Sequence, residues 1–171
     1  IKSTVSPNHP ARYALVELVN LYDEGLVFEP IHRLIMGVKV DLVKKAAQYF
    51  SDAVFEPCSN YQEVVARVME DGGKFQPSCH CFGFMSEEKI GCLKVKDHST
   101  SLAVAALQGF IDSGLQEKWF DKIDYVHGDN ALATLAEKPT NAGFFLPIID
   151  ESSVYKTVMV DGPMPNKDFT V

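Results

Sequence analysis

The sequence predicts an α+β (mixed α/β) fold: a mixed β-sheet with one hairpin, covered by helices. Three observations lead there. Apolar stripes at helical spacing alternate along the chain with short runs of β-forming residues. Two such runs, 79–85 and 90–95, are joined by Ser86-Glu87-Glu88-Lys89 and read as a hairpin. The composition, 46% hydrophobic and 23% charged over 171 residues, suits a globular chain long enough to close one sizeable core, so residues 1–171 are expected to form a single domain.

From the N-terminus, Asn8-His9-Pro10 opens a helix, because proline suits a first turn whose N–H has no partner anyway. Ala11, Ala14, Leu15, Leu18 and Tyr22 give that helix one apolar face, and Asp23-Glu24-Gly25 ends it. Residues 26–36 are rich in β-formers but contain Pro30, which cannot donate to a ladder and places an edge, a bulge or a break there. Val43, Ala46, Ala47 and Phe50 mark a second helix, and Tyr61, Val64, Val65 and Val68 a third. Asn60 and Glu63 have the spacing of a reciprocal cap on that third helix, and Gly72-Gly73 stops it.

Beyond the hairpin, Ser99 or Thr100 caps a helix carrying Leu102, Ala105, Ala106 and Gly109. It is expected to close near Gly114, whose missing Cβ permits a left-handed exit. Residues 122–127 then read as a strand, 129–137 as a helix, and 142–149 as a buried strand whose Phe-Phe-Leu run lacks alternation. A short helix at 152–160 and a proline-stiffened loop at 161–170 complete the chain.

The charge balance, 16 Lys plus Arg against 23 Asp plus Glu, gives −7 without a basic cluster, which argues against a broad nucleic-acid surface. Four cysteines are too few for a disulfide scaffold in a chain of this length, so reduced thiols are expected. No apolar run of membrane-spanning length and no secretory leader is visible, which implies no membrane association and a cytoplasmic location. The start at Ile1 and the stop at Val171 within a Pro/Asn/Lys/Asp stretch lead us to expect an excised piece of a longer polypeptide.

Two blocks carry the candidate chemistry. In the first, Glu29, His32 and Arg33 lie close together; on a strand, period two sends Glu29, Ile31 and Arg33 to one face and His32 to the other, unless a bulge at Pro30 re-aims them. Glu29, as a base, and His32 are candidate catalytic residues and Arg33 a candidate anion clamp, with a salt-bridged edge as the plainer alternative. In the second, Tyr125-Val126-His127-Gly128-Asp129-Asn130 spans a strand end and a helix start, a junction whose free amides attract anions. His127 is a candidate catalytic residue, and Gly128 and Asp129 are candidate anion-binding residues, although Asp129 or Asn130 is equally the expected N-cap. Should both blocks border one cleft, Arg33 and His127 are placed for function and not for packing.

Lys167, near Thr170 in the final loop, is a further anion-binding candidate. Cys79-His80-Cys81 with Cys92 and His98 offers zinc-binding residue types, but one intervening residue is shorter than the usual two to four, so core thiols and no metal are expected.

His9-Pro10-Ala11-Arg12-Tyr13-Ala14, Asp23-Glu24-Gly25-Leu26, Phe28-Glu29-Pro30-Ile31-His32-Arg33, Tyr125-Val126-His127-Gly128, Gly143-Phe144-Phe145-Leu146-Pro147 and Met164-Pro165-Asn166-Lys167 together resemble the uncharacterised bacterial and archaeal family catalogued as domain of unknown function 1015. Members of that family resemble ParB and sulfiredoxin-like proteins through a Gly/Asp/His-rich block preceding Glu-Pro-Ile-His-Arg. That block does not occur in this chain, so the resemblance implies its C-terminal portion, inactive when isolated. The resemblance further implies that the parent protein is a nucleotide-dependent small-molecule phosphoryl transferase, taking a nucleotide with Mg²⁺. A ParB-like DNA-associated regulator and a structural or oligomerising module are the alternatives; fold-level analogy alone does not choose among them.

Overall fold

The computed structural model describes residues 29–72, 79–97 and 102–148, with residues 6, 9–13, 16, 20 and 169–170 besides. Its elements in chain order are β1 (Glu29–Met36), α1 (Leu42–Tyr49), β2 (Asp52–Pro57), α2 (Tyr61–Gly72), β3 (Cys79–Ser86), β4 (Ile90–Lys96), α3 (Ala103–Gln116), β5 (Lys122–His127), α4 (Asp129–Ala136), β6 (Asn141–Phe145) and β7 (Phe169–Thr170). A 3₁₀ turn at Pro10–Arg12 precedes them. The strands form one sheet in the order β2-β4-β3-β6-β1-β5, with β7 pairing the first residues of β1. The α+β class is the one observed, and every pairing among these strands is antiparallel.

Helices cover both faces of the sheet. Under α1 and α3, Ile35, Phe82, Phe84 and Phe144 meet Ala46, Leu107, Phe110 and Ile111 in one core. Under α2 and α4, Leu34, Cys81, Met85 and Phe145 meet Val64, Val68, Leu132 and Ala136 in another. Successive strand residues point to opposite faces, so β3 sends Phe82 and Phe84 one way and Cys81 and Met85 the other. Two-sided cover also explains why Phe144-Phe145-Leu146 lacks alternation: each residue faces a helix layer or its rim, and all three are buried. Burying each such side chain stabilises by about 1.5–3 kcal/mol.

The hairpin forms as expected, Cys81 opposite Lys94 and Gly83 opposite Cys92. Asn60 accepts the Glu63 N–H at 2.9 Å, while the Glu63 carboxylate takes the Ser59 N–H at 2.8 Å, one residue earlier than a strict reciprocal cap. Three readings are corrected. The strand β2 has no counterpart in the expected set; its Ala53 and Phe55 pack inward while Val54 faces solvent, the alternation of an edge strand. The N-cap of α3 is Leu102, with no side-chain cap. Gly114 lies inside α3, which runs on to Gln116, and the left-handed step falls on Lys118 (φ 59°).

The expected helices over 10–22, beyond the 3₁₀ turn, and over 152–160 lie outside the described residues, as does most of the 161–170 loop, of which Phe169–Thr170 pairs as β7.

Packing explains Gly114. A Cβ there would sit 2.6 Å from Phe120 Cε1 and 2.7 Å from Trp119 Cε3, whereas at Gly109, in the same helix, it would meet only Tyr49 Oη, at 3.1 Å. Gly114→Ala is therefore expected to destabilise by ~1–3 kcal/mol through overpacking. Gly109→Ala is expected to be neutral or to stabilise by up to ~1 kcal/mol, since helix propensity then dominates. Urea melts of the two variants check this contrast; equal effects would contradict it.

Asp41 starts α1, accepting the N–H groups of Val43 (3.1 Å) and Lys44 (3.2 Å) and an ion pair from Lys89 (2.6 Å). Partial burial pulls its carboxyl up, but the Lys89 and Lys44 hydrogen bonds outweigh that and hold it below its ordinary value. A carboxylate depressed on folding stabilises above its unfolded pKa of about 3.9 and loses that contribution as pH falls through the folded value. Asp41→Asn retains a capping acceptor without the charge, so its deficit in melting temperature is expected at neutral pH and should close as the pH drops below about 4. A deficit that persists undiminished in acid would contradict the assignment.

Candidate functional site

The site begins with the position of β1 between β5 and β6. Pro30 is its second residue, opposite Phe169 of β7, and β5 pairs with β1 from Ile31 onward. Ile31 lies opposite His127 and Arg33 opposite Tyr125. Alternation through the strand then gives adjacent residues opposite fates: Arg33 reaches Gln108 of α3, and His32 reaches Asp129 of α4.

Arg33 is fully buried, at 0% exposure. Its Nε donates to Gln108 Oε1 at 3.3 Å, its Nη1 donates to the Ile31 carbonyl, and its guanidinium carbon lies 4.7 Å from the centre of the Tyr125 ring. Gln108 in turn donates to Asp112 at 2.8 Å. A guanidinium remains charged at any pH of interest, and taking it from water costs several kcal/mol unless its donors and its face are engaged. The cation–π contact with Tyr125 is one such engagement. Arg33, expected to be placed for function and not for packing, is among the largest fully buried side chains of the described residues.

His32 is 1% exposed, on the other face. Its Nδ1 accepts the Leu146 N–H at 3.1 Å, so the network assigns the proton to Nε2, which donates to Asp129 at 2.8 Å. The ring also packs against Phe145, 5.5 Å between centroids. With both nitrogens engaged, His32 ties β1, the end of β6 and the start of α4 together. Asp129 is accordingly not the N-cap. That position belongs to Gly128 at φ 89°, a left-handed backbone that favours glycine, and Asp129 occupies the first helical residue, where the helix dipole favours a carboxylate.

Glu29 and His127 form a hydrogen-bonded carboxylate–imidazole pair in the open, with side chains 55% and 57% exposed. The residues expected to line one cleft therefore separate. Glu29, Arg33 and His127 share the α3 face, His32 and Asp129 share the α4 face, and Gly128 stands at the strand end between them. Lys167 lies outside the described residues.

Sequence reasoning did not single out Tyr125 or Gln108 as partners of Arg33. The Tyr125 signal was present, since it lies two residues before His127 on a strand and so on the same face. Gln108 comes from a helix 75 residues away and carries no local signal. Among the described residues, no group of three His, Cys, Asp or Glu side chains is arranged to hold a metal ion.

The difference between the two histidines is measurable. Asp129→Ala leaves the buried His32 Nε2–H without its acceptor and is expected to cost about 1–3 kcal/mol. His127→Ala, at an exposed pair, is expected to stay within about 0.5 kcal/mol of the parent. Chemical denaturation of both variants decides the matter, and comparable losses would show that the exposed pair is structural.

The family described as "Protein of unknown function (DUF1015)" matches residues 2–113, a span that takes in β1 and its Glu-Pro-Ile-His-Arg block. No curated protein and no solved structure matches the chain. A match over more than half of its length, including the strand on which the candidate site is built, shows that the chain belongs to the DUF1015 family.

Proposed function

We propose that the rim where β1 begins and β5 ends recognises an anionic group of a small-molecule ligand, and that the parent protein is a nucleotide-dependent small-molecule phosphoryl transferase. One observation carries this reading: an accessible carboxylate–imidazole pair, Glu29 with His127, lies on the same face as the buried guanidinium of Arg33, further along β1. Phosphoryl transfer depends chiefly on positioning and on neutralising charge. His127, oriented by Glu29, suits proton transfer with a hydroxyl acceptor. Arg33 acts through its permanent charge on the same face and by holding Tyr125, a positioning role, because its buried guanidinium is not an open clamp. The backbone amides at the start of α4, just past His127, add donors suited to an anion.

His32 and Asp129, engaged with each other on the opposite face, become supports of this rim, so that His32 leaves the catalytic set and Asp129 the anion-binding set. Lys167 keeps its anion-binding role through the family resemblance alone. Mg²⁺ accompanying a nucleotide is commonly held by phosphate oxygens and waters with one or two carboxylates, and Glu29 is the exposed carboxylate here. The resemblance to ParB and sulfiredoxin-like proteins adds nucleotide handling to the reading. The DNA-associated alternative draws on the same resemblance, but a net charge of −7 disfavours it.

Thermal melts with inorganic phosphate, MgADP and MgATP test the proposal. A nucleotide at about 100 times its Kd is expected to stabilise by about 2.7 kcal/mol. Glu29→Gln and His127→Gln are expected to lose that shift while their unliganded melting temperatures hold. No shift with any of the three ligands, or a shift that survives both substitutions, rejects the reading.

A further inference from the structure

Three thiols converge beneath α2, at the far edge of the sheet from the Glu29–His127 rim. Cys58 follows β2, Cys92 lies within β4, and Cys81 lies within β3. The Cys58 and Cys92 sulfurs are 4.0 Å apart. Cys92 is fully buried, its Sγ 3.8 Å from the Val64 carbonyl, whereas Cys58 is half-buried, its Sγ 3.9 Å from the Glu56 carbonyl. The Cys58 backbone is anchored by its N–H donating to Ile90 O at 3.0 Å. Next to it in the chain, Ser59, Asn60 and Tyr61 line a cavity of about 400 Å³ together with Ile90 among others.

We propose that Cys58 and Cys92 are a redox modification site, converted by a hydroperoxide into a reversible disulfide. Cys58, the member nearer solvent, is oxidised first: its sulfur attacks the peroxide, the O–O bond breaks, and a sulfenic acid and an alcohol or water result. The Cys92 sulfur then attacks the sulfenic sulfur, the S–O bond breaks, and water leaves with the Cys92 proton. In sum, two thiols lose two electrons and two protons, and one peroxide bond is reduced. A small-molecule thiol reverses the reaction by exchange.

Geometry favours this pair. Covalent contact requires the sulfurs to close by about 2 Å, and Cys58 lies just past the last ladder residue of β2, where its side chain can turn without breaking strand register. Cys81 is wholly buried between β3 and the α2 layer and has no such freedom. Burial, and then the neighbouring Cys92, push the Cys58 thiol up to about 11, with Arg67 and Glu63 of α2 facing it, so its attack on the peroxide is slow at neutral pH and is expected to quicken as the pH rises toward that value. The Cys92 thiol is raised too, by its hydrogen bond to Cys81 and by burial. This site is independent of the proposed ligand rim.

The full chain is treated with hydrogen peroxide, alkylated and mapped by non-reducing mass spectrometry. The expected product is a Cys58–Cys92 linked peptide that dithiothreitol removes. It should be unchanged in Cys79→Ser, which alters an exposed thiol elsewhere on β3, and absent in Cys58→Ser. Because Cys92→Ser alters a buried position, binding of phenylarsine oxide, which bridges paired thiols, provides a second measurement on native protein. Wild type is expected to retain one arsenical per chain and Cys58→Ser none. A link between Cys81 and Cys92, oxidation of Cys58 to a sulfinic acid without any link, or arsenical retention in Cys58→Ser would each overturn the proposal.

Discussion

Two adjacent residues on an inner strand of the sheet, His32 and Arg33, are polar and almost wholly buried, and the architecture around β1 follows from satisfying both. Strand geometry sends them to opposite faces, so no single neighbour can serve the pair. One face must supply an acceptor for a guanidinium and a surface for its flat side; α3 gives Gln108 and β5 gives Tyr125. The other must supply a donor and an acceptor for an imidazole; the residue after β6 gives Leu146 N–H and α4 gives Asp129. An unmatched polar group at either position would cost more than any single apolar contact nearby returns. Helices on both faces of β1 are therefore required by its sequence, beyond their service to the core.

Much of this fold was legible because its elements carry strong local signals. The stripes of α1, α2 and α3 and the hairpin β3–β4 all follow from spacing alone, and each structure lies within a few residues of its pattern. The failures have physical causes. In β2, Asp52-Ala53-Val54-Phe55-Glu56-Pro57 holds only two inward residues and ends in proline, so its signal is short and charged, as edge strands tend to be. At Gly114 a residue usually read as a helix stop is present because two aromatic rings, Trp119 and Phe120, fold back against it. Local rules treat glycine as a conformational device, whereas here it makes room.

The site was legible in its residues and not in its geometry. Glu29, His32, Arg33, His127 and Asp129 all turn out to be engaged with one another or with neighbours at one end of β1, as their chemistry suggested. What spacing could not tell was which of them face water. Burial of Arg33 depends on the covering α3 layer, and the capture of Asp129 by His32 depends on a contact across 97 residues. The capping rule alone pointed to Asp129 or Asn130 as the N-cap, and a tertiary hydrogen bond overrode it.

An antiparallel sheet with helices over both faces leaves a ligand only its rims and edges. The register fixes what stands at each. β1 begins where β5 ends, which brings Glu29 and His127 to one rim together with the first amides of α4. At the other rim, the end of β2 meets the start of β4, which brings Cys58 over Cys92. Glu29 and His127 are open to solvent and add no buried apolar area to the cores, whereas the other juxtaposition sets Cys58, at the margin of the α2 core, against the core residue Cys92. Packing accounts for His32, Arg33 and Asp129 without invoking any ligand, but it gives no reason for an acid and an imidazole to meet in water at the end of a strand whose next buried side chain on that face is a guanidinium. Exposed ion pairs contribute little to stability, so this pairing is the feature of β1 that the fold itself leaves unexplained and that ligand recognition would explain.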